Sequence, residues 1–505
     1  MLSKIDVKKS TGFDNIPAKF LKIGAGPLAG ILSNLINLSF QECIFPDMLK
    51  YAELAALFKK SERIIKENYR PVSVLTALSK LFERTYSGQL SNFFDNILSK
   101  FLSAFRKKYS CQTALLRMIE DWKKSIDSGE LVGTVAIDLS RAFDSLPHGL
   151  LVAKLYAYGV DLLACKLIAS YLYNRKQRVK IKDKRSDWST LEKGVPQGSV
   201  LGPLLFNIYI NDIFFFTENC NLYNYADDNV ASYAGTNVDQ IRLTLTRETN
   251  SLMDWFCKNS LAANPSKFQA MLVSNIASRD KDFCITIDKT DILSLDSMTI
   301  LGVCIDKRLN FNEHISLVCA KAAKQINVLQ RLKGVLDKKS RLAIYNSFIM
   351  SNFNYCPVVW MFSSKSSLSK LEDLQRRALR FVLDDYVSNY DVLLTKSDVP
   401  GIKITLLRYL AIEVFKCVKE INPVYLNSLF LKKSCSYKLR DSSILSRPKV
   451  KSTNHGLKSF RSYGAKIWNT LPEHCKSAVS LQDFKIIIKT WKGPNCKCTV
   501  CNLFT

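Results

Sequence analysis

The sequence predicts an α+β protein in three parts: a mixed helix-and-strand part, an α-helical part and a basic C-terminal part. The first 300 residues alternate between helical and strand spacing of apolar side chains, whereas residues 314–383 keep helical spacing throughout. With 505 residues, 47% of them hydrophobic, the chain is long and apolar enough to form roughly two to four packed domains.

A helix and then a strand are predicted near residue 130. The apolar residues at helical spacing are Leu115, Leu116, Ile119, Trp122 and Ile126. The residues that share one face of the following strand are Val132, Thr134, Ala136 and Asp138. The strand therefore delivers a carboxylate at its end.

Two apolar stripes predict the helices of the middle part. The first stripe, which ends near Gly334, consists of Ile315, Val318, Ala322, Ile326 and Leu329. The second consists of Leu371, Leu374, Ala378 and Phe381. A further helical stretch is expected after Pro400.

The charge of the chain predicts an acidic partner. Lys and Arg number 72 against 45 Asp and Glu, a net charge of +27, and residues 401–505 alone carry 19 basic and 5 acidic side chains. Phosphates and anionic lipid are the usual partners of so basic a surface, although a merely soluble basic surface is an alternative. Aromatic residues among these C-terminal charges are expected either to stack on unpaired bases or to pack in a core: Tyr437, Phe460, Tyr463, Trp468 and Trp491.

Neither a secretory leader nor a membrane span is predicted. The longest apolar run, residues 200–216, is interrupted by Gly202, Pro203 and Asp212, and no apolar core of a signal peptide follows Met1. Fifteen cysteines, mostly single, are typical of a reducing compartment. An intracellular protein of the cytoplasm or the nucleus is therefore expected.

Paired acidic residues are the strongest candidates for chemistry in so basic a chain. Asp138 ends a β-rich run, and Asp227 and Asp228 lie in a predicted hairpin turn between two short β-rich runs. Adjacent carboxylates repel each other and attract a divalent cation, and a third carboxylate would allow two Mg²⁺ ions to serve phosphoryl transfer. An ordinary turn is the alternative, because Asp and Asn favour turns.

A loop rich in glycine and proline precedes an apolar helix at residues 194–212 (GVPQGSVLGPLLFNIYIND). Glycines let backbone approach a flat ligand closely, and the Gln197 amide both donates and accepts hydrogen bonds. The density of turn-forming residues favours a binding loop over a simple turn before a core helix.

Together these motifs resemble a reverse transcriptase of non-LTR retrotransposons, the long interspersed type with its jockey-like and chicken-repeat-like branches. The resemblance rests on Tyr225-Ala226-Asp227-Asp228, the Ala-Phe-Asp block after Asp138 and the GVPQGSVLGPLLF block. Further blocks resemble the family in the same order, at residues 9–22, 57–75, 103–116, 263–272, 301–315 and 460–474.

The resemblance implies a right-hand polymerase with a metal-dependent site. Asp138, Asp227 and Asp228 would hold two Mg²⁺ ions, with Mn²⁺ as an alternative, and Lys267 would protonate the leaving pyrophosphate, although a solvated surface lysine is nearly as well supported. Phe143 would exclude a ribose 2′-hydroxyl.

The same resemblance implies contacts with a deoxynucleotide, a DNA primer and an RNA template. Arg70 and Lys59 would bind the triphosphate. Gln197 would line the nucleotide and template pocket, and Arg106 would contact the template. Ala104 stands where the family commonly has glycine.

The implied domains are fingers and palm over residues 1–306, an α-helical thumb over 307–400 and a basic nucleic-acid-binding region over 401–505. Full-length relatives resemble fusions with an N-terminal endonuclease, and this sequence is expected to be a truncated copy without one. An RNA-dependent RNA polymerase and an inactive nucleic-acid-binding remnant are the alternatives.

Zinc at the C-terminal cysteines is a weaker hypothesis. Cys496, Cys498 and Cys501 have a spacing that matches neither a zinc knuckle nor a zinc finger, so a cysteine-bearing tail is favoured over a metal site.

Overall fold

Helices and strands alternate up to residue 306, and helices dominate the described residues after it, as the apolar periodicity predicts. The computed structural model describes residues 1–59, 61–275, 283–433 and 444–494. Cys496, Cys498 and Cys501 lie outside the described residues, as does Tyr437.

The strands have these bounds: β1 (Tyr51–Phe58), β2 (Tyr69–Leu75), β3 (Leu131–Ile137), β4 (Leu139–Ser140), β5 (Arg175–Ile181), β6 (Lys184–Arg185), β7 (Ser189–Leu191), β8 (Asn221–Tyr225), β9 (Asp228–Gly235), β10 (Ala262–Ala263), β11 (Gln269–Val273), β12 (Cys284–Ile287), β13 (Thr290–Leu293), β14 (Ser297–Ile300) and β15 (Val303–Asp306).

The helices have these bounds: α1 (Ala18–Ile23), α2 (Ala25–Gln41), α3 (Ala77–Phe94), α4 (Cys111–Ser128), α5 (His148–Ala157), α6 (Leu162–Leu172), α7 (Gly202–Ile210), α8 (Val238–Lys258), α9 (Asn312–Arg331), α10 (Lys338–Ile344), α11 (Met350–Phe353), α12 (Pro357–Trp360), α13 (Lys365–Leu383), α14 (Tyr390–Ser397), α15 (Ile402–Val418), α16 (Val424–Asn427), α17 (Phe460–Thr470), α18 (Glu473–Lys476) and α19 (Leu481–Ile487).

Helix α4 confirms the first predicted helix, and its ends have local causes. Ser110 and Thr113 form a reciprocal capping box at the N-terminus, and Gly129, with a φ of +98°, ends the helix in the left-handed region. All five residues of the predicted apolar stripe are buried.

The palm sheet has the strand order β11-β3-β9-β8 and is antiparallel throughout. Helices α4 and α8 both pack against it, and β3 is buried along almost its whole length. Gly133 permits the approach of α8, because a Cβ there would lie 2.3 Å from the Ile241 side chain. The predicted strand is confirmed, and Asp138 follows its last residue.

The fingers sheet has the order β2-β1-β5-β6, and β7 also pairs with β5. Strand β1 runs antiparallel to β2 and parallel to β5. Buried Glu53 on β1 forms ion pairs with Arg178, Lys180 and Arg185, which join β1 to β5 and β6 through their side chains. These ion pairs therefore link three strands of the fingers sheet.

Helices α9 and α13 pack together as the core of the thumb and confirm both predicted stripes. Ile315, Ala322, Ile326 and Leu329 are buried on α9, and Val318 is partly buried. The chain leaves α9 before Gly334, as expected.

Buried polar side chains of α4 form hydrogen bonds with the backbone of the C-terminal part. The Glu120 carboxylate accepts hydrogen bonds from the backbone N–H groups of Phe460 at 2.7 Å and Arg461 at 3.0 Å, at the start of α17. Lys123 donates to the carbonyl of Lys458 at 2.7 Å. Asp127 accepts a bond of 2.7 Å from the backbone of Ser452.

Of the two alternatives for the C-terminal aromatics, packing in a core is the one that the structure shows for those it describes. Phe460, Tyr463 and Trp468 are buried to within 1% of full burial, and Trp491 is 7% exposed. These aromatics complete a hydrophobic core that also contains α4 and the thumb helices. No break in this core falls at residue 400 among the described residues, and the two boundaries between the three implied domains stay predictions.

Among the described residues, no helix combines the length and the apolar character needed to cross a bilayer.

Candidate active site

The β8–β9 hairpin carries two of the predicted carboxylates, Asp227 in its turn and Asp228 at the start of β9. Tyr225 pairs with Asp228 across the hairpin, so that Ala226 and Asp227 form the turn, and Ala226 has a φ of +57°. Two asparagines that sequence reasoning did not assign a role fix this shape. Asn224 donates to the Ala226 carbonyl at 2.8 Å and to the Asn229 side chain at 3.0 Å.

The third carboxylate comes from the neighbouring strand. Ile137, the last residue of β3, pairs with Asn229, so Asp138, which directly follows β3, lies beside Asp228 on β9. The Lys267 ammonium is 3.7 Å from the Asp138 carboxylate, and both side chains are more than half exposed. Lys267 belongs to a short turn, residues 265–267, that is capped by Asn264.

The carboxylates interact electrostatically. Desolvation and then the charges of Asp227 and Asp138 raise the pKa of Asp228 to about 6. Lys59 and Arg70 act in the opposite direction, so the end of the β1–β2 hairpin faces the carboxylates. Asp228 is exposed, so solvent and ions can reach this part of the site.

The carboxylates suit a divalent cation in chemistry. In the described part of the chain, no three His, Cys, Asp or Glu side chains already converge on one point as the ligands of a metal do. Asp138, Asp227 and Asp228 are nevertheless brought side by side by strand register, and carboxylate oxygens are the ligands that Mg²⁺ prefers. These three residues have the chemistry of the predicted metal-binding role, which stays a prediction.

Phe143 lies next to the glycine-rich loop, as a nucleotide pocket would require. Its ring is half-buried and stacks on Phe206 of α7, with centroids 4.2 Å apart and an angle of 17° between the planes. The backbone N–H of Val195 donates to the Phe143 carbonyl at 2.9 Å. Gly194 is required there, because its φ is +83° and a Cβ would lie 2.6 Å from Asp144.

Gln197 joins the palm to the fingers. Its side-chain amide donates to Asp144 at 2.9 Å, and its carbonyl accepts from the N–H of Ser73 on β2 at 2.7 Å. Gly198, with a φ of +117°, allows this contact, because a Cβ would lie 2.7 Å from the Ser73 carbonyl.

A buried acid that sequence reasoning missed anchors the same loop. Glu83 on α3 accepts hydrogen bonds from the N–H groups of Val200 and Leu201, at the entrance to α7. Burial raises the pKa of Glu83, and the nearby charge of buried Arg175 opposes the shift. No local sequence signal marks this pair, because 92 positions separate its members along the chain.

Arg106 uses its side chain within its own loop. The guanidinium donates to the carbonyls of Ser99 at 2.6 Å and Leu102 at 3.2 Å, and it lies over the ring of Tyr109. Arg106 thus stabilises the conformation of its own loop, and its contact with the template stays a prediction.

This combination of a palm sheet that carries three carboxylates, a fingers sheet and a helical thumb is a right-hand polymerase fold. Residues 58–305 match the family model described as reverse transcriptase (RNA-dependent DNA polymerase). The chain therefore carries a reverse transcriptase domain, and the predicted resemblance is confirmed.

The curated relatives specify the kind of reverse transcriptase. One is the probable RNA-directed DNA polymerase from transposon BS of Drosophila melanogaster, 27% identical over 76% of this chain and 44% of the relative. Another is the RNA-directed DNA polymerase from mobile element jockey of Drosophila funebris, 26% identical over 75% of this chain and 43% of the relative. The domain is thus similar to the polymerases of these mobile elements, and the matched part spans less than half of these relatives.

Among solved structures, apo telomerase from Candida tropicalis is similar with a TM-score of 0.39 and 11% identity, over 79% of this chain and 68% of that chain. The right-hand fold is instead defined by the strand topology and by the match to the reverse transcriptase family.

Proposed function

We propose that this chain copies RNA into DNA, by adding deoxynucleotides to the 3′-hydroxyl of a DNA primer paired with an RNA template. The meeting of Asp138, Asp227 and Asp228 within the segment that matches the reverse transcriptase family carries the proposal. The names of the curated relatives support the same reaction.

The reaction is an attack by the primer 3′-hydroxyl on the α-phosphorus of a deoxynucleoside triphosphate, with pyrophosphate as the leaving group. The three carboxylates are the residues that would hold two Mg²⁺ ions, with Mn²⁺ as the alternative. When bound, such ions stabilise the charge on the attacking and leaving oxygens.

Basic side chains around the carboxylates bind the phosphates in this proposal. Lys59 and Arg70, which lower the pKa of Asp228 through space, pair with oxygens of the triphosphate. Lys267, 3.7 Å from Asp138, gives a proton to the pyrophosphate as it leaves. A lysine in this position also balances the carboxylate charge before the nucleotide arrives.

The remaining predicted residues select and orient the substrates. The ring of Phe143 occupies the space that a 2′-hydroxyl would need, which disfavours an RNA-dependent RNA polymerase. Gln197, oriented by its bond to Asp144, lines the nucleotide and template pocket, and the loop of Arg106 guides the template.

Primer extension tests the proposal directly. Purified protein, poly(rA) template and oligo(dT) primer should give extension with dTTP and Mg²⁺, and chelation with EDTA should abolish it. Binding of the primer–template without extension would support the inactive-remnant alternative. Equal extension with UTP would support an RNA polymerase. An intracellular place of action, in the nucleus or cytoplasm, is part of the same proposal and can be followed with a tagged chain.

A further inference from the structure

Phe105 is an exposed aromatic residue beside the proposed nucleotide pocket. Its side chain is 57% exposed although the preceding residue, Ala104, is fully buried. Its φ of +56° lies in the left-handed region, which bulky residues rarely adopt.

The backbone on both sides of Phe105 is held by side chains. Asn207 of α7 donates to the Ala104 carbonyl at 2.8 Å. On the other side, Arg106 donates to the carbonyls of Ser99 and Leu102. A strained conformation persists only where its surroundings determine it, and these contacts do so here.

The ring of Phe105 meets the ring of Phe143 edge-on. Their centroids are 5.9 Å apart, and their planes are at 86°. Phe206 covers a face of Phe143 by stacking. Since Phe206 and Asn207 are neighbours on α7, the same helix positions the Phe143 ring and the loop that carries Phe105.

We propose that Phe105 is a positioning residue for sugar selection, which holds the Phe143 ring where it excludes a ribose 2′-hydroxyl. The inference rests on the proposed function and names a second residue of the same pocket. The half-buried ring of Phe143 has two aromatic contacts, a stacked one with Phe206 and an edge-on one with Phe105. An edge-to-face partner restricts the movement of the ring, because the pair is favourable only in this relative orientation.

Single-nucleotide kinetics on poly(rA)/oligo(dT) test the role. Phe105→Ala should lower the ratio of kcat/KM for dTTP to kcat/KM for UTP by about 3- to 10-fold, the range of an ordinary aromatic pair. The kcat for dTTP should stay within about threefold of the wild-type value, because Phe105 touches no reacting atom. Phe105→Tyr keeps the ring and should restore the ratio.

Two controls separate this role from a general effect. Phe215→Ala removes an aromatic side chain that is 80% exposed on another segment and should leave the ratio unchanged. In the Phe105→Ala/Phe143→Ala double variant, the loss of selectivity should be close to that of Phe143→Ala alone, because the first residue acts through the second.

Binding of dTTP and UTP to a complex with a dideoxy-terminated primer gives a second measure that needs no turnover. An unchanged dTTP/UTP ratio in folded Phe105→Ala, beside a lowered ratio in Phe143→Ala, overturns the inference and leaves the proposed function intact. Wild-type protein that discriminates in neither assay contradicts both.

Discussion

At Asp227, an Asp→Asn exchange removes the charge and keeps the shape of the side chain. The variant should lose Mg²⁺-dependent extension by several orders of magnitude, since metal ions contribute several kcal/mol to stabilisation of the transition state. Primer extension by folded protein measures the loss. Asp183→Asn, an exposed aspartate in the turn between β5 and β6, is the matched control. Near-normal extension by Asp227→Asn would disprove the site assignment.

Asp228 predicts a pH dependence of stability. Its pKa, about 6 in the folded chain, is higher than in the unfolded chain, so the folded state binds this proton more tightly. The stabilisation from this proton is complete below the unfolded pKa and is lost as pH rises through 6. In EDTA, Asp228→Asn should therefore unfold at a higher temperature than wild type at pH 7.5, and the difference should shrink toward pH 4.

The metal provides the complementary measurement at the same residue. Mg²⁺ should raise the unfolding temperature of wild type at pH 7.5 and should have less effect on Asp228→Asn, because binding to the folded state alone stabilises it. Equal effects of Mg²⁺ on the two proteins would remove Asp228 from the ligand set.

At the scale of elements, the glycine-rich loop depends on its close contact with β2. Gly198→Ala adds a Cβ 2.7 Å from the Ser73 carbonyl at a φ of +117°, so the loop must move and take Gln197 with it. We expect a raised KM for dTTP in steady-state extension. Gly30→Ala on α2 meets no atom within 4 Å and should be neutral or slightly stabilising. An unchanged KM in Gly198→Ala would show that the loop does not touch the nucleotide.

Helix α4 predicts a clear difference between two substitutions of Glu120. Glu120→Ala leaves two backbone N–H groups without acceptors and removes the nearby negative charge that favours ionised Lys123, so the free energy of unfolding should fall by about 3–5 kcal/mol. Gln keeps one acceptor oxygen for one of the two N–H groups, so Glu120→Gln should cost less than Glu120→Ala. Denaturant unfolding measures both, with exposed Glu42→Ala as control. Equal losses from Ala and Gln would contradict this account.

For the whole molecule, the basic C-terminal part is predicted to bind nucleic acid through its surface charges. Deleting it would uncover the core shared with α4 and the thumb, so charge neutralisation is the cleaner test. Arg447, Lys449 and Lys451 are exposed, and changing all three to Gln should weaken RNA binding and reduce the slope of log affinity against log salt by about 2.

The control for this test is a variant with the same loss of charge on another surface. Changing Lys8, Lys19 and Lys22 to Gln removes three exposed charges near α1 and should leave the slope less affected. Parallel slopes for wild type and the C-terminal variant in filter binding would show that residues 447–451 do not contact RNA.

The sequence by itself was sufficient for helices α4, α9 and α13, the strand before Asp138 and the hairpin of Asp227 and Asp228. Each of these depends on local patterns: apolar periodicity in α4, α9 and α13, and turn-forming residues between two β-rich runs. The order of the motifs also identified the family, because the reacting groups of one site recur at characteristic positions along the chain.

Only the tertiary structure decided which side chains meet across the chain. The pairing of Glu83 with Arg175, the attachment of Phe460 to Glu120, and the contact of Phe105 with Phe143 join residues far apart in sequence, and no local pattern encodes them. The tertiary structure also decided whether the C-terminal aromatics are exposed or buried. Their spacing among lysines is compatible with either a surface or a core, and burial against α4 settles the choice because the apolar rings gain more from leaving water.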